Sequence, residues 1–375
     1  MDSSNKLFLL DAYALIYRAY YAFIKNPRIN SKGFNTSAIL GFVNTLEEVL
    51  KKENPTHIGV AFDPAGPTFR HEAFEQYKAQ REETPEAIRL SVPIIKDIIH
   101  AYRIPVLEVS GYEADDVIGT LATEAGRQGI TTYMMTPDKD YGQLVSDKVF
   151  MYRPKHTGGF EVMGVEEVKA KFDIKSPAQV IDMLGLMGDS SDNIPGCPGI
   201  GEKTAQKLIA EFGSIENLLE HTDQLKGALK TKVETNREMI TFSKFLATIK
   251  IDVPIQLEMD ALVREQPDEE ALRSIFEELE FRTLIDRVLK KETSAPLSLF
   301  PEKSEGIQGD LFANFTGNEP SEAKKSNLET LESLCCDYQL IDTEEKRKEI
   351  IQKLLTSKIL SLDTETTGTE PMDAE

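Results

Sequence analysis

The stretch Lys6-Leu7-Phe8-Leu9-Leu10-Asp11 is a short apolar run that leads directly into an acidic residue. The same pattern recurs at 57–62, 104–109 and 131–136. Runs of this length, separated by segments of helical periodicity, predict parallel β-strands that alternate with helices. Ligands bind outside the carboxyl ends of such strands, so we expect the acids that follow these runs to gather in one crevice.

Nine acids are candidates for this crevice, two of them in a later pair. They are Asp11, Asp63, Glu113, Asp115, Asp116, Asp138 and Asp140, followed by Asp189 and Asp192. Two unit charges 4 Å apart repel by about 4 kcal/mol at an effective dielectric of 20, so the cluster needs cations. Oxygen-only ligation favours Mg²⁺, with Mn²⁺ as an alternative, and the number of acids indicates two or more ions. For a single acid such as Asp115, the alternative is stabilisation of a helix N-terminus, worth about 0.3–1 kcal/mol.

The first half of the chain alternates between the two periodicities. The predicted strands are 6–10, 57–62, 104–109 and 131–136, and the predicted helices are 13–23, 36–52, 84–101 and 114–128. This order predicts an α/β domain over 1–165, with a mainly parallel twisted sheet flanked by helices. Apolar residues at three-to-four spacing predict an all-helical subdomain over 166–290.

The last part of the chain changes in composition. Residues 291–336 are rich in Ser, Glu, Lys, Gly and Pro, which is typical of a flexible linker. A strand at 337–341, an amphipathic helix at 343–356 and a strand at 358–362 are predicted to follow. About 40 residues are too few for an independent core, so 337–375 are predicted to be the start of a further domain.

Composition limits the classes of protein that the chain can represent. No apolar run is long enough for a membrane span and no secretory signal is evident, so we expect a cytosolic protein with no membrane partner. The three cysteines, Cys197, Cys335 and Cys336, have no metal-binding spacing. A net charge of −20 argues at first against a nucleic-acid partner. Acids concentrated at a metal site nevertheless leave room for a basic surface elsewhere.

Residues 196–204 read Gly-Cys-Pro-Gly-Ile-Gly-Glu-Lys-Thr and precede a predicted helix. A glycine turn that opens a helix lets backbone N–H groups approach a phosphate, and the helix dipole favours the negative charge. The alternative is an ordinary turn between helices. The candidate DNA-binding residues are Gly199, Ile200, Gly201, Lys203, Thr204 and Lys207.

A second cationic segment lies between Asp63 and the helix at 84–101. It mixes cations with aromatic residues, the combination that binds phosphates and stacks on bases. The alternative is a solvated amphipathic helix. The residues are Arg70, Lys78 and Arg81, together with Phe69, Phe74 and Tyr77.

These motifs together resemble the flap-endonuclease family of 5′ nucleases, in the form found in bacterial DNA polymerases of type I. The resemblance covers about 1–290. It rests on Asp11, Ala61-Phe62-Asp63, Phe69-Arg70-His71-Glu72, Tyr77-Lys78-Ala79, Gly111-Tyr112-Glu113-Ala114-Asp115-Asp116, Thr136-Pro137-Asp138-Lys139-Asp140 and Gly188-Asp189-Ser190-Ser191-Asp192-Asn193. It implies a PIN-like fold, a helical arch at about 66–83 that threads a single-stranded 5′ end, and a helix-hairpin-helix unit at about 184–212 that holds the duplex.

The resemblance also implies an activity. It is that of a structure-specific 5′-3′ exonuclease and 5′-flap endonuclease acting on flaps, nicked or gapped duplex and RNA-primed ends, in Okazaki fragment processing and DNA repair. The first five acids would lie nearer one metal ion and the last four nearer the other. Two ions roughly 3.5–4 Å apart would activate a water molecule, and Lys78 and Arg81 would stabilise negative charge on the phosphoryl group. Arg70 would help to neutralise the phosphate that is cut, and the ring of Tyr77 would stack on a base. These four residues are the candidate catalytic residues. The protein is expected to be a monomer.

Two features of the last part resemble other motifs. Leu362-Asp363-Thr364-Glu365-Thr366 is similar to the first motif of proofreading 3′-5′ exonucleases, but the other acids of such a site are missing. Asp363 and Glu365 would thus form an incomplete metal site, and neither proofreading nor polymerisation is expected. Gln308, Leu311 and Phe312 resemble a peptide that binds the sliding clamp; chance, or docking onto the chain's own domain, is the alternative.

Two other classes of function stay open at this point. The chain could recognise flapped DNA without cutting it, although the complete set of acids argues against a pure binding module. It could also be a ribonuclease of a related metal-dependent α/β fold. A hairpin that binds the backbone of duplex DNA argues against the ribonuclease.

Overall fold

A computed structural model describes residues 5–155, 159–289, 341 and 343–356. The chain divides into two compact units, Met1–Thr316 and Gly317–Glu375. Among the described residues, no helix combines the length and the apolar character that a membrane crossing requires.

A six-stranded sheet forms the centre of the first unit. Its strands are β1 Lys6–Asp11, β2 His57–Ala61, β3 Val106–Leu107, β4 Thr131–Met135, β5 Val149–Pro154 and β6 Phe160–Met163. They lie in the order β3-β2-β1-β4-β5-β6 and are parallel, except that β6 runs antiparallel to β5. The predicted mainly parallel sheet is confirmed. The strand at 104–109 is shorter than predicted, and β5 and β6 were not predicted.

Helices flank the sheet and form the second half of this unit. The helices that begin before residue 170 are α1 Ala12–Ala22, α2 Ser37–Lys52, α3 Phe69–Ala73, α4 Glu86–Ala101, α5 Ala114–Arg127 and α6 Val165–Phe172. They are followed by α7 Val180–Met187, α8 Glu202–Phe212, α9 Ile215–Glu220, α10 Gly227–Thr235, α11 Arg237–Ala247, α12 Glu269–Glu278 and α13 Arg282–Leu289. In the second unit, α14 Glu344–Thr356 confirms the helix predicted at 343–356.

The central strand β1 is buried on both faces, which explains its uninterrupted apolar sequence. Leu7 and Leu9 belong to one hydrophobic cluster, whereas Phe8 and Leu10 belong to the other, because successive side chains of a strand point to opposite faces. The first cluster continues into α5, α7, α8 and α11. The sheet and the helical half therefore share one core, and packing is continuous across the predicted boundary near residue 165.

Several predictions concern residues that the structure places differently or does not describe. Within the predicted arch at 66–83, only α3 is α-helical, and turns follow it. The linker at 291–336 and the strands at 337–341 and 358–362 lie outside the described residues, apart from residue 341. The same holds for Gln308, Leu311, Phe312, Asp363 and Glu365.

Gly196 lies where two backbone segments touch, and its replacement by alanine should destabilise the protein severely. Its φ is +62°, and an added Cβ would lie 2.3 Å from the Gly188 nitrogen and 2.6 Å from the Met187 carbonyl carbon. Backbone atoms cannot move aside cheaply, so we expect Gly196→Ala to lower the free energy of unfolding by about 3 kcal/mol or more.

Gly33→Ala is the matched control for this substitution. Gly33 has a φ of +80° but no atom within 4 Å of an added Cβ, so only backbone strain of about 1 kcal/mol applies. Urea denaturation of both variants measures the difference. Equal losses would show that the contact between Gly188 and Gly196 is not tight in solution.

Candidate metal centre

The predicted acids lie after successive strands, at the junctions where the chain enters a helix. Asp11 ends β1, and its Oδ1 accepts a hydrogen bond of 3.2 Å from the Ala14 N–H in the first turn of α1. Asp63 follows β2 and accepts a hydrogen bond of 2.7 Å from the Ala114 N–H at the start of α5. These helix-end hydrogen bonds fix the carboxylates at the sheet edge. Asp189 and Asp192 lie in the loop between α7 and α8.

Six of the nine acids lie within ion-pair distance of a cation of the protein. Two of these contacts are looser: Asp115 lies 4.0 Å from Arg70 Nη1, and Asp140 lies 3.3 Å from Lys139 Nζ. The other four acids are paired closely. Glu113 lies 2.7 Å from Arg70 and 2.6 Å from Lys78, Asp116 lies 2.8 Å from Arg70, Asp192 lies 2.6 Å from Arg81, and Asp189 pairs with Lys139. Burial opposes the ionisation of Glu113, but the charges of Lys78 and Arg70 outweigh it and hold the pKa of this carboxyl below its usual value.

Arg70 does not face the crevice, which corrects its predicted role at the phosphate. The side chain is 1% exposed, and its Nη1 and Nη2 donate to Glu113 and to both oxygens of Asp116. Its remaining donors reach the carbonyls of Leu246 and Thr248 at 3.0 and 2.8 Å. All five N–H groups of the guanidinium are thereby used. Arg70 is a positioning residue beneath the acids.

The segment 76–81 lies against the loop 188–196. The Lys78 N–H donates to the Asp192 carbonyl at 3.0 Å, and the Asn193 Nδ2 donates to the Gln76 carbonyl at 2.7 Å. Gln80 also contacts this loop, because its Nε2 donates a hydrogen bond of 2.7 Å to the Ser190 carbonyl. Two separate parts of the sequence thus form one wall of the crevice.

Tyr77 is buried in this wall, which corrects the prediction that its ring stacks on a base. The ring is 3% exposed. Its hydroxyl lies 3.0 Å from Glu113 Oε2 and 3.2 Å from Asp192 Oδ2, so it orients carboxylates instead. Lys78 and Arg81 keep their predicted position at the crevice, and half of the Arg81 side chain is exposed.

The remaining three acids have no cation of the protein within ion-pair distance in the described part of the chain: Asp11, Asp63 and Asp138. Burial, reinforced by the charge of Asp63, raises the pKa of Asp11 to about 7. Burial is also the main cause that raises the pKa values of Asp63 and Asp138. These carboxylates favour a proton or a cation over bare ionisation.

The donor set fits hard divalent cations. Asp140 Oδ1 is buried without a hydrogen-bond donor, although Lys139 Nζ lies 3.3 Å away, and burial with the charge of Asp138 raises the Asp140 pKa to about 7. Carboxylate oxygens of Glu113, Asp115 and Asp116 lie within 4.8 Å of one another. Both Asp116 oxygens already accept from Arg70, which leaves Asp115 the freer ligand of this group.

Three residues of the site were not predicted as functional. Lys139 pairs with Asp189 and lies close to Asp140. Thr136 and Tyr141 donate hydroxyl hydrogen bonds of 3.1 and 3.2 Å to Asp11 Oδ2. Thr136 and Lys139 stand in the quoted motif at 136–140, but no local signal marked their roles or that of Tyr141.

The predicted hairpin precedes α8 as a tight turn. Gly199 has a φ of +76°, and Gly201 is the N-cap of α8. Lys203 and Lys207 are exposed on the first two turns of the helix, and Thr204 is partly exposed. The Ile200 side chain is buried, and its N–H donates to the Cys197 carbonyl at 3.0 Å, so neither is open to a phosphate.

Comparison with known proteins agrees with this architecture. A sequence model described as "5'-3' exonuclease, N-terminal resolvase-like domain" matches residues 6–173, and one described as "5'-3' exonuclease, C-terminal SAM fold" matches residues 175–270. DNA polymerase I of Bacillus caldotenax is 42% identical over 76% of this chain and 32% of the relative. DNA polymerase I of Bacillus subtilis (strain 168) is 43% identical over 77% of this chain and 33% of the relative.

A solved structure of bacteriophage T5 flap endonuclease, described as a complex with DNA and metal ions, has the same fold. Its TM-score is 0.55 at 22% identity, and the match covers 74% of this chain and all of that one. The chain belongs to the 5′-3′ exonuclease family, which confirms the resemblance found in the sequence. It spans about a third of the length of the curated relatives it matches.

Without divalent ions, the protein should become less stable as the pH rises from about 5 to 8. Asp11 and Asp140 have folded-state pKa values of about 7, raised above their usual value of 3.8. The folded state therefore binds more protons than the unfolded state between these values, and stability falls as pH rises through this window. Thermal denaturation in EDTA at pH 6 and pH 8 measures the slope.

Mg²⁺ should raise the melting temperature more at pH 8 than at pH 6, because it binds the ionised carboxylates. Asp11→Asn should flatten the pH slope, whereas Asp97→Asn, at an exposed position on α4, should not. A melting temperature that rises from pH 6 to pH 8 in EDTA would contradict the assignment of Asp11 and Asp140.

Proposed function

We propose that this chain hydrolyses DNA phosphodiesters at 5′ ends and at the junctions of 5′ flaps, with two or more Mg²⁺ ions bound in the acidic crevice. The observation that carries the proposal is the set of crevice carboxylates without a protein cation. Asp11, Asp63 and Asp138, with Asp115 and the orphaned oxygen of Asp140, are the residues that would hold the ions. Mn²⁺ is an alternative ion of similar ligand preference.

The bound ions would activate water and stabilise the charge of the leaving oxygen. The residues of the chain supply the rest. Lys78 and Arg81 lie at the edge of the crevice, where they pair with Glu113 and Asp192. When DNA binds, their charged groups can move from these carboxylates to the phosphate that is cut. Tyr77 and Arg70 hold Glu113 in place from beneath.

The duplex behind the cleavage point would lie on the hairpin at 199–201 and the start of α8, which offer backbone N–H groups and the helix dipole. Such contacts bind the backbone and carry no sequence preference, as expected of a nuclease that recognises structure. The relatives named DNA polymerase I support a role in primer removal and repair in the bacterial cytosol. A monomeric state, the domain division near 165 and a clamp contact through 308–312 stay predictions.

Cleavage of an end-labelled 5′-flap duplex, with Mg²⁺ and then with EDTA, tests the proposal. We expect Mg²⁺-dependent cutting at the junction or one nucleotide beyond it. RNA-primed duplex should also be cut, and free single-stranded RNA should not. Binding of the flap without cutting in Mg²⁺ or Mn²⁺ would refute the nuclease assignment, and preferred cutting of free RNA would favour a ribonuclease.

A further inference from the structure

Lys232 of α10 lies against the hairpin although it is 33 residues beyond Gly199 in the chain. Its Nζ donates to the Gly199 carbonyl at 3.2 Å, and an added Cβ on Gly199 would lie only 2.5 Å from this Nζ. The ammonium group therefore occupies the space that a side chain at position 199 would need. A glycine at 199 allows both the turn and the approach of the lysine.

The backbone of α10 holds Lys232 in this position. The Cys197 thiol lies 3.8 Å from the Lys232 carbonyl, and the Asn236 Nδ2 donates to the same carbonyl at 2.8 Å. The next residue, Val233, is fully buried in the core that the sheet shares with the helices. The start of the Lys232 side chain is thus fixed, while the residue itself is exposed.

The charge of Lys232 is not neutralised by a carboxylate within the described residues. By contrast, Lys230 on the same helix lies 3.8 Å from Glu234. An ammonium group has three N–H donors, and one of the three donates to the Gly199 carbonyl. The other two are available to a ligand. Lys203 and Lys207 on α8 also lack an ion-pair partner in this part of the chain, which concentrates positive charge around the hairpin.

We propose that Lys232 binds a phosphate of the duplex together with the hairpin at 199–201, so that α10 forms part of the DNA-binding surface. This inference rests on the proposed function, since it deepens the description of the surface that holds the duplex. A phosphate bound beside the hairpin would gain a charged contact from the Lys232 ammonium in addition to its backbone contacts.

The test is the salt dependence of duplex binding in EDTA, where cutting does not interfere. Fluorescence anisotropy of a labelled duplex gives the dissociation constant of the full chain between about 50 and 200 mM KCl. Each phosphate contact by a lysine contributes about 0.9 to the slope of log K against log salt. We expect Lys232→Gln to lower the magnitude of the slope by about 0.9. Lys232→Arg keeps the positive charge and should retain most of the slope of the unchanged chain.

Lys230→Gln is the matched control, because it removes the same charge from the same helix at a residue that pairs with Glu234. Its slope should equal that of the unchanged chain. Equal slopes for Lys232→Gln and the unchanged chain would overturn the inference, as would equal reductions in both glutamine variants. Circular dichroism establishes that the variants are folded. If the unchanged chain binds no duplex, the proposed function itself fails. If it binds the duplex but Lys232→Gln leaves the slope unchanged, only the role of Lys232 fails.

Discussion

Asp115→Asn is expected to reduce Mg²⁺-dependent cleavage of a flap duplex by about 10³-fold or more, which corresponds to about 4 kcal/mol of transition-state stabilisation. Asparagine keeps the size of the side chain but removes the charge that a hard cation requires. Burial raises the pKa of Asp115 well above its usual value, even though the Arg70 charge opposes this shift. A carboxylate in such surroundings is stabilised most by a bound ion.

The binding of the same duplex in EDTA should change by less than about twofold, because Asp115 lies in the crevice and not on the hairpin. Asp147→Asn, at an exposed position before β5, is the control and should cut at the normal rate. Single-turnover cleavage separates the chemical step from product release. Normal cutting by Asp115→Asn would remove this residue from the metal site.

Arg70→Met is expected to lower the free energy of unfolding by about 3–5 kcal/mol, the usual cost of breaking a buried ion pair by removing one partner. Asp116 is fully buried and would lose the two bonds of 2.8 Å from the guanidinium. The carbonyls of Leu246 and Thr248 would each lose a donor as well. Cleavage should fall too, because Glu113 would lose a partner that positions it.

Arg89→Met is the matched control for this loss. The Arg89 guanidinium lies on the exposed face of α4, 3.9 Å from Glu86, and surface ion pairs of this kind contribute at most about 1 kcal/mol. Urea denaturation at constant Mg²⁺ gives both values. If Arg70→Met lowers the free energy of unfolding by no more than Arg89→Met does, the buried ion pairs of Arg70 do not stabilise the sheet edge that carries the acids.

The acids could be placed from the sequence because each follows a feature with its own local signal. β1 is apolar at every position that points into either core, and Asp11 ends it. β5 and β6 had no such signal. Arg153, Pro154 and Glu161 interrupt their apolar pattern, and β6 pairs only at the sheet edge. Pairing between neighbouring strands, not local sequence, decides that these residues are extended.

Whether each charged residue is buried or exposed could not be predicted, because it depends on partners distant in sequence. A buried arginine and an exposed one look alike along the chain, and Arg70 is buried through contacts 176 and 178 residues away. Tyr77 similarly meets Asp192 across 115 residues. Sequence patterns identify which residues meet at the crevice, whereas the fold decides which of them face the substrate.

The bonds from Arg70 to the carbonyls of residues 246 and 248 also constrain when the acidic edge can be completed during synthesis. A nascent chain that has not yet released α11 from the ribosome contains all nine acids but lacks the acceptors that fix the arginine between them. Contacts of such sequence separation form late in folding, because loop closure must come first. The acidic edge is therefore completed only after α11 has been made, so that the helices proposed to hold the duplex can fold before the proposed metal centre is complete.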